Sequence, residues 1–199
     1  MRVDIWSDVV CPWCYVGKAR FDRALATFAH RDEVQVRFHS YELNPTLPRG
    51  RSESLLAALA RKFSDVPADE IEGMEHRVAD AARDEGLAYR SDRRNGNTFD
   101  LHRLLHLAGE AGRQAESVTA LNQAHFGAGR DVFDHDIAVE VCTSAGLAPA
   151  EVRRVLTDDD YTERVFVIDR TLAVTGARPA DLFARTLDQA WARRAQRVA

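Results

Sequence analysis

The chain has 199 residues, 27 Lys plus Arg against 31 Asp plus Glu, and a formal net charge of -4. That length supports one large domain or two small ones around a sizeable core. The slight acidic excess argues against a nucleic-acid-binding protein, whose surface a basic face dominates. No apolar run reaches the length of a membrane span.

The N-terminal Met1-Arg2-Val3-Asp4-Ile5-Trp6 lacks the long apolar stretch of a secretory signal. A cytoplasmic location is therefore expected. The three cysteines are too few and too unevenly placed for a disulfide scaffold, and in that compartment a close pair points to redox or metal chemistry. Val3 and Ile5 alternate with Asp4 and Trp6, the period of a strand. From Pro12 the period changes: Cys14, Gly17, Phe21, Leu25 and Phe28 fall on one helical face. Val34, Val36 and Phe38 then alternate with polar residues as a second strand. A strand-helix-strand unit of this length predicts a parallel pair with a right-handed crossover.

The middle reads as helical. Leu55, Leu56 and Leu59 start it, and Ile71, Met74, Val78 and Ala82 keep helical spacing up to Gly86, a plausible terminator. Leu101, Leu104, Leu105 and Ala108 repeat the pattern, and Val118 with Leu121 marks another helix. Asp134 caps the next, which carries Ile137, Val141 and Cys142 and ends at Gly146. Pro149 suits the first turn of a helix through Leu156. Asn44 to Pro48 and Arg93 to Asn97 read as loops. Strand character returns at Val165–Ile168 and Leu172–Val174, a possible hairpin. Pro179 starts a last helix with Leu182 or Phe183, Leu187 and Trp191 on its buried stripe.

The informative segment is Ser7-Asp8-Val9-Val10-Cys11-Pro12-Trp13-Cys14, where a strand ends and a helix begins. Pro12 is a good first helical residue. Cys11 then stands among the unpaired N–H groups and the positive end of the helix dipole, both of which favour a thiolate, the reactive form. Cys14 is within one turn, can close a disulfide, and on the apolar stripe is expected to be the more buried sulfur. The asymmetry suggests that Cys11 attacks or is attacked and Cys14 resolves. Pro12 and Trp13 are expected to tune the thiolate and offer an apolar contact to substrate. A zinc site would need two further ligands, with only Cys142 and scattered histidines remaining; no metal is expected.

These residues resemble the active-site segment of the DsbA-like thiol-disulfide oxidoreductases, in particular the FrnE-like branch. Tyr41-Glu42-Leu43-Asn44-Pro45 is similar to the end of that family's second strand, and Asn97-Thr98-Phe99-Asp100-Leu101-His102-Arg103-Leu104 to its helical-domain signature. Gly129-Arg130-Asp131-Val132 and Ala173-Val174-Thr175-Gly176-Ala177 also match. The resemblance covers nearly the whole chain. It implies an α/β thioredoxin-like fold interrupted by a helical domain. The expected boundaries are a thioredoxin-like unit over 1–45 and 158–199 and an inserted helical domain over 46–157. It also implies disulfide oxidoreductase or isomerase activity on protein dithiols or disulfides, with glutathione as a further substrate and no organic cofactor. By position Cys11 matches the nucleophile and Cys14 the resolving cysteine.

One departure stands out. The family carries a cis-proline loop just before its third strand, whereas here Tyr161 to Val165 runs straight into Phe166, and the last prolines are Pro149 and Pro179. Either the sequence lacks a segment that the native protein has, or the deletion is genuine and impairs substrate binding or turnover. Two rival functions also remain. One is a glutathione-binding isomerase or transferase of the kappa-class type, which usually carries serine at the first cysteine position. The other is a non-catalytic thioredoxin-like chaperone or metal-binding module. Among the remaining candidates, His102 and His106, one turn apart, read as packing or hydrogen-bonding groups rather than ligands. Cys142 reads as a buried small hydrophobe. Arg90, Arg93 and Arg94 read as a solvated basic loop.

Overall fold

The first two strands owe their pairing to matched apolar alternation. In the computed structural model, which describes residues 1–162 and 179–198, with side chains at 179–188 and 191 in the latter stretch, β1 (Arg2–Ser7) and β2 (Gln35–Ser40) pair in parallel. Val3 lies opposite Val36 and Ile5 opposite Phe38. Between them runs α1 (Pro12–Thr27), followed by a short 3-10 turn over Arg31–Glu33. The sequence expectation for this unit is met in order and type.

Next come β3 (Ser52–Ser54), α2 (Leu55–Lys62), α3 (Ala68–Asp84) and β4 (Arg94–Gly96). Ser54 caps α2, its hydroxyl accepting the Ala57 N–H at 3.1 Å. Gly86, at φ +72°, ends α3 with the left-handed residue such a terminus favours. The Leu87 N–H then closes back to the Ala82 carbonyl at 2.9 Å. β3 and β4 form an antiparallel ladder, Ser52 opposite Gly96. The sequence reads residues 93–97 as a loop; the structure corrects this. Three polar residues show no alternation, so only the partner strand reveals the ladder. At Gly96 a Cβ would come within 2.8 Å of both the Arg51 carbonyl oxygen and the Phe133 ring, so the ladder crosses Phe133 only with glycine there.

The remaining described elements are α4 (Phe99–Glu110), α5 (Gln114–Asn122), α6 (His135–Ser144), α7 (Pro149–Thr157) and α8 (Ala180–Val198). A five-residue π turn, Gln123–Gly127, extends α5. Asp134 caps α6 by accepting the Asp136 and Ile137 N–H groups. Two apolar clusters organise the whole. Phe38 and Val9 join Leu101, Leu104, Leu121, Val141 and Val155 from α4 to α7. On the other side, Phe21 and Phe28 of α1 pack with Leu187, Phe183 and Trp191 of α8. Ile5 and Val36 touch both clusters, so the β1–β2 pair is the wall between them. The stripe expected on α8 is present, with Phe183 rather than Leu182 packed in the cluster. The strands expected between Val165 and Val174, and the junction before Phe166, lie outside the described residues.

Candidate active site

Cys11 is the N-cap of α1, in extended backbone, and Pro12 occupies the first helical position, where its missing N–H leaves no donor unpaired. The Cys11 N–H donates to the Asp8 carbonyl at 3.1 Å, which fixes the turn from β1 into the helix. The Cys14 N–H points back at Cys11, 3.0 Å from its carbonyl oxygen and 3.3 Å from its Sγ. A helix N-terminus thus presents a donor to the Cys11 sulfur, the arrangement that favours charge there.

Both thiols are free and both are half-buried. The expected difference in burial is not seen at that level: α1 turns Tyr15 and Val16 fully inward and leaves both sulfurs at the rim. The pair shares a proton. The Cys11 thiol hydrogen bond brings Cys14 down to about 7 against the opposing effect of burial, and the Asp8 backbone N–H and Ser7 hydroxyl add to the lowering. The same shared bond, with burial and the charge on its neighbour, pushes Cys11 far up. One proton therefore leaves the pair easily and the second does not, the behaviour of strongly coupled groups.

Around the thiols is an apolar collar. Trp13 is 43% exposed, Tyr41 54% and Leu43 40%. With Cys11 and Cys14 they line an open cavity of about 590 Å³ among the described residues. Beneath lies a polar cluster that sequence reasoning missed. Asp8 is 2% exposed and His102 1%. The Asp8 carboxylate accepts the Leu43 N–H at 2.7 Å through one oxygen, and its other oxygen is 3.3 Å from His102 Nε2. Burial also raises the ionisation point of Glu42, whose carboxyl feels both groups. The three come from the β1–α1 turn, the segment after β2, and α4, so no local spacing announces them.

The other candidates fall elsewhere. His106 hydrogen-bonds Ser40 at 3.0 Å, and no cluster of three or more metal-ligating side chains occurs among the described residues. Cys142 is fully buried in the helical core, and burial pushes its thiol up to about 12. The basic loop needs correction. Arg93 is 2% exposed, paired with Glu75 at 2.9 Å and stacked over the Tyr89 and Phe126 rings. A buried cation needs such a partner. Arg90 pairs with Asp92, and Arg94 reaches Asp131.

The family model for the DSBA-like thioredoxin domain matches residues 2–177. The chain belongs to that family. A crystal structure of a probable DsbA oxidoreductase from Streptomyces coelicolor superposes with a TM-score of 0.88 at 42% identity, covering 96% of this chain and 90% of that one. The α/β thioredoxin-like fold with inserted helices, expected from the motifs, is therefore the fold of this protein. The cytosolic disulfide reductase DsbM of Pseudomonas aeruginosa, solved with GSH, shares the fold at a TM-score of 0.54 and 15% identity, over 83% of this chain and 76% of that one. A curated relative, the uncharacterized protein YwbO of Bacillus subtilis (strain 168), is 37% identical over 46 residues. That match covers 23% of this chain and spans only 21% of that protein. No helix among the described residues is long and apolar enough to cross a membrane.

Proposed function

We propose that the protein is a thiol-disulfide oxidoreductase that exchanges disulfides with protein substrates through Cys11 and Cys14. The observation that carries this reading is the pair's geometry: two half-buried free thiols within one turn at a helix N-terminus, with the Cys14 N–H 3.3 Å from Cys11 Sγ. Cys11 is the nucleophile. Its sulfur receives the Cys14 N–H, which supports a thiolate and a leaving sulfur at that position. Cys14 resolves the mixed disulfide and releases the second thiol. Pro12 shapes the turn and Trp13 meets the substrate.

The exposed Trp13, Tyr41 and Leu43 favour protein thiols over glutathione alone, because an apolar collar gains most from an extended apolar chain. Glutathione serves as the smaller partner that recycles the pair, and the pair is the only redox group the reaction requires. We assign the thioredoxin-like unit to residues 1–45 and 158–199 around a helical domain over 46–157. We also place the protein with the FrnE-like branch, in the cytoplasm.

A trapping experiment tests the reading. Cys14→Ser, incubated with a reduced unfolded protein carrying one activated mixed disulfide, should accumulate a covalent adduct at Cys11; Cys11→Ser should give none. Reversible glutathione binding without an adduct would point to the transferase or isomerase reading. Suppression of aggregation that survives Cys11→Ser, again without an adduct, would point to the chaperone.

A further inference from the structure

The apolar collar beside the thiols has no secondary structure of its own to hold it. Residues 41–51, which carry Tyr41 and Leu43, form neither helix nor strand. Both side chains are exposed, so burial does little to fix them. A segment of this kind keeps one conformation only where its backbone is tied to something else.

The ties come from the β1–α1 turn and from the start of α4. Asp8 accepts the Leu43 N–H at 2.7 Å. Further along, the Leu47 carbonyl accepts from the Asn97 side-chain amide at 3.0 Å. Asn97 is buried, and its side-chain oxygen accepts the Phe99 N–H at 2.9 Å, which fixes the amide in one orientation. Arg49 donates to Asp100 at 2.6 Å and lies over the Phe99 ring, 4.5 Å from its centre. Asp100 is itself braced. The buried Arg103 donates to the same carboxylate oxygen at 3.0 Å and directs its other nitrogens to the Asp158 and Asp160 carbonyls. Burial opposes the charge on Asp100, yet the Arg49 and Arg103 hydrogen bonds hold its carboxyl below the usual carboxylate range. Among the described residues, Arg49, Asn97 and Asp100 do not line the cavity at the thiols, so they act on it through the collar.

We propose that Asn97 and Asp100 are positioning residues for protein substrates: by fixing the Leu47 carbonyl and Arg49, they hold the collar segment in the shape that receives a polypeptide beside Cys11. The inference rests on the oxidoreductase reading and deepens it by separating two classes of substrate. A polypeptide gains most from Tyr41 and Leu43 when they are already in place, because ordering one residue on binding costs a factor of about 5 to 30 in the equilibrium constant. Glutathione presents no apolar chain to the collar and needs only the sulfurs. Asn97 and Asp100 therefore govern how well a protein substrate is received and leave the exchange chemistry at Cys11 and Cys14 as it is.

The test compares two probes that carry the same aromatic mixed disulfide, one on unfolded ribonuclease and one on glutathione. The reduced pair passes two electrons to the probe and closes the Cys11–Cys14 disulfide. The probe's S–S bond breaks, and the two protons of the pair end on the probe thiol and the coloured aromatic thiol, whose release is followed by stopped flow. The variant combines Asn97→Ser, which keeps an oxygen for the Phe99 N–H, with Arg49→Ala. Arg49 is changed rather than Asp100 so that the buried Arg103 keeps its partner. The second-order rate constant with the ribonuclease probe should fall about 5- to 30-fold, while that with the glutathione probe stays at the native value. Arg49→Lys, which can still pair with Asp100, should lie closer to the native protein than Arg49→Ala. Equal slowing with both probes marks a general defect; that result, or an unchanged rate with ribonuclease, overturns the proposal and leaves the oxidoreductase reading standing. If the native protein reacts with neither probe, the oxidoreductase reading falls and the proposal with it. Should the double variant fail to fold, Arg49→Ala decides alone, because that side chain is 49% exposed: its rate with ribonuclease must fall relative to that with glutathione, and an unchanged ratio contradicts the proposal.

Discussion

Residue by residue, the chemistry divides into what neighbours in sequence can announce and what only the fold brings together. Cys11, Pro12 and Cys14 announce themselves, because strand-to-helix placement and spacing are local. Asp8 and His102 do not, because 94 positions separate them and each alone reads as an ordinary polar residue. The thiols carry the clearest prediction. Absorbance of the thiolate at 240 nm should show one transition near pH 7, absent from Cys14→Ala. Brief alkylation at pH 8 should modify Cys11 or Cys14 and spare Cys142, whose thiol burial pushes up to about 12; Cys142 should react only after unfolding. His125 makes a second. It is buried, and burial brings it down to about 3 from 6.5. The unfolded chain binds that proton first, so stability is full above pH 6.5 and falls as the pH drops towards 3. Between pH 7 and pH 4 the loss from this one group is about 2–3 kcal/mol. In His125→Gln the change in unfolding free energy between those two pH values should shrink by about that amount, measured by urea titration.

At the level of elements, legibility follows period and length. β1, α1 and β2 are readable because their apolar positions repeat at two and then at three to four residues. The helices from α2 to α7 are readable for the same reason, with Gly86, Asp134 and Pro149 marking ends or starts. β3 and β4 are not, being three residues each and polar, and the π turn after α5 has no local signature. Arg93 shows what this hides. Read locally it belongs to a basic loop; in the fold its guanidinium is buried between Glu75 and two aromatic rings, tying α3 to the segment before β4 and to the π turn. Arg93→Ala leaves the buried Glu75 carboxylate without its ion-pair partner. A loss of about 3–5 kcal/mol is expected for breaking such a pair, read as a lower urea midpoint. Arg93→Lys should recover only part of it, because an ammonium cannot stack as the guanidinium does.

Across the whole molecule, two apolar clusters meet at a two-stranded wall, and the thiol pair sits where that wall ends. β1 delivers Asp8 and Cys11 to the same edge, β2 delivers Tyr41 and Leu43, and α4 supplies His102 from the helical side. The far C-terminal helix closes the other cluster, so the first and last parts of the described chain depend on each other. Leu187, 5% exposed, packs there with Phe21 and Phe28. Leu187→Ala should cost about 2–5 kcal/mol, with an unchanged dependence on urea concentration if unfolding stays two-state. The central claim, that Cys11 and Cys14 form a working redox pair, is tested most directly by equilibrium with a graded series of glutathione buffers. The thiols are trapped by alkylation and counted by mass. The account predicts one reversible two-electron transition confined to Cys11 and Cys14 and absent from either Cys→Ser variant. A pair that stays reduced across the whole series would contradict it.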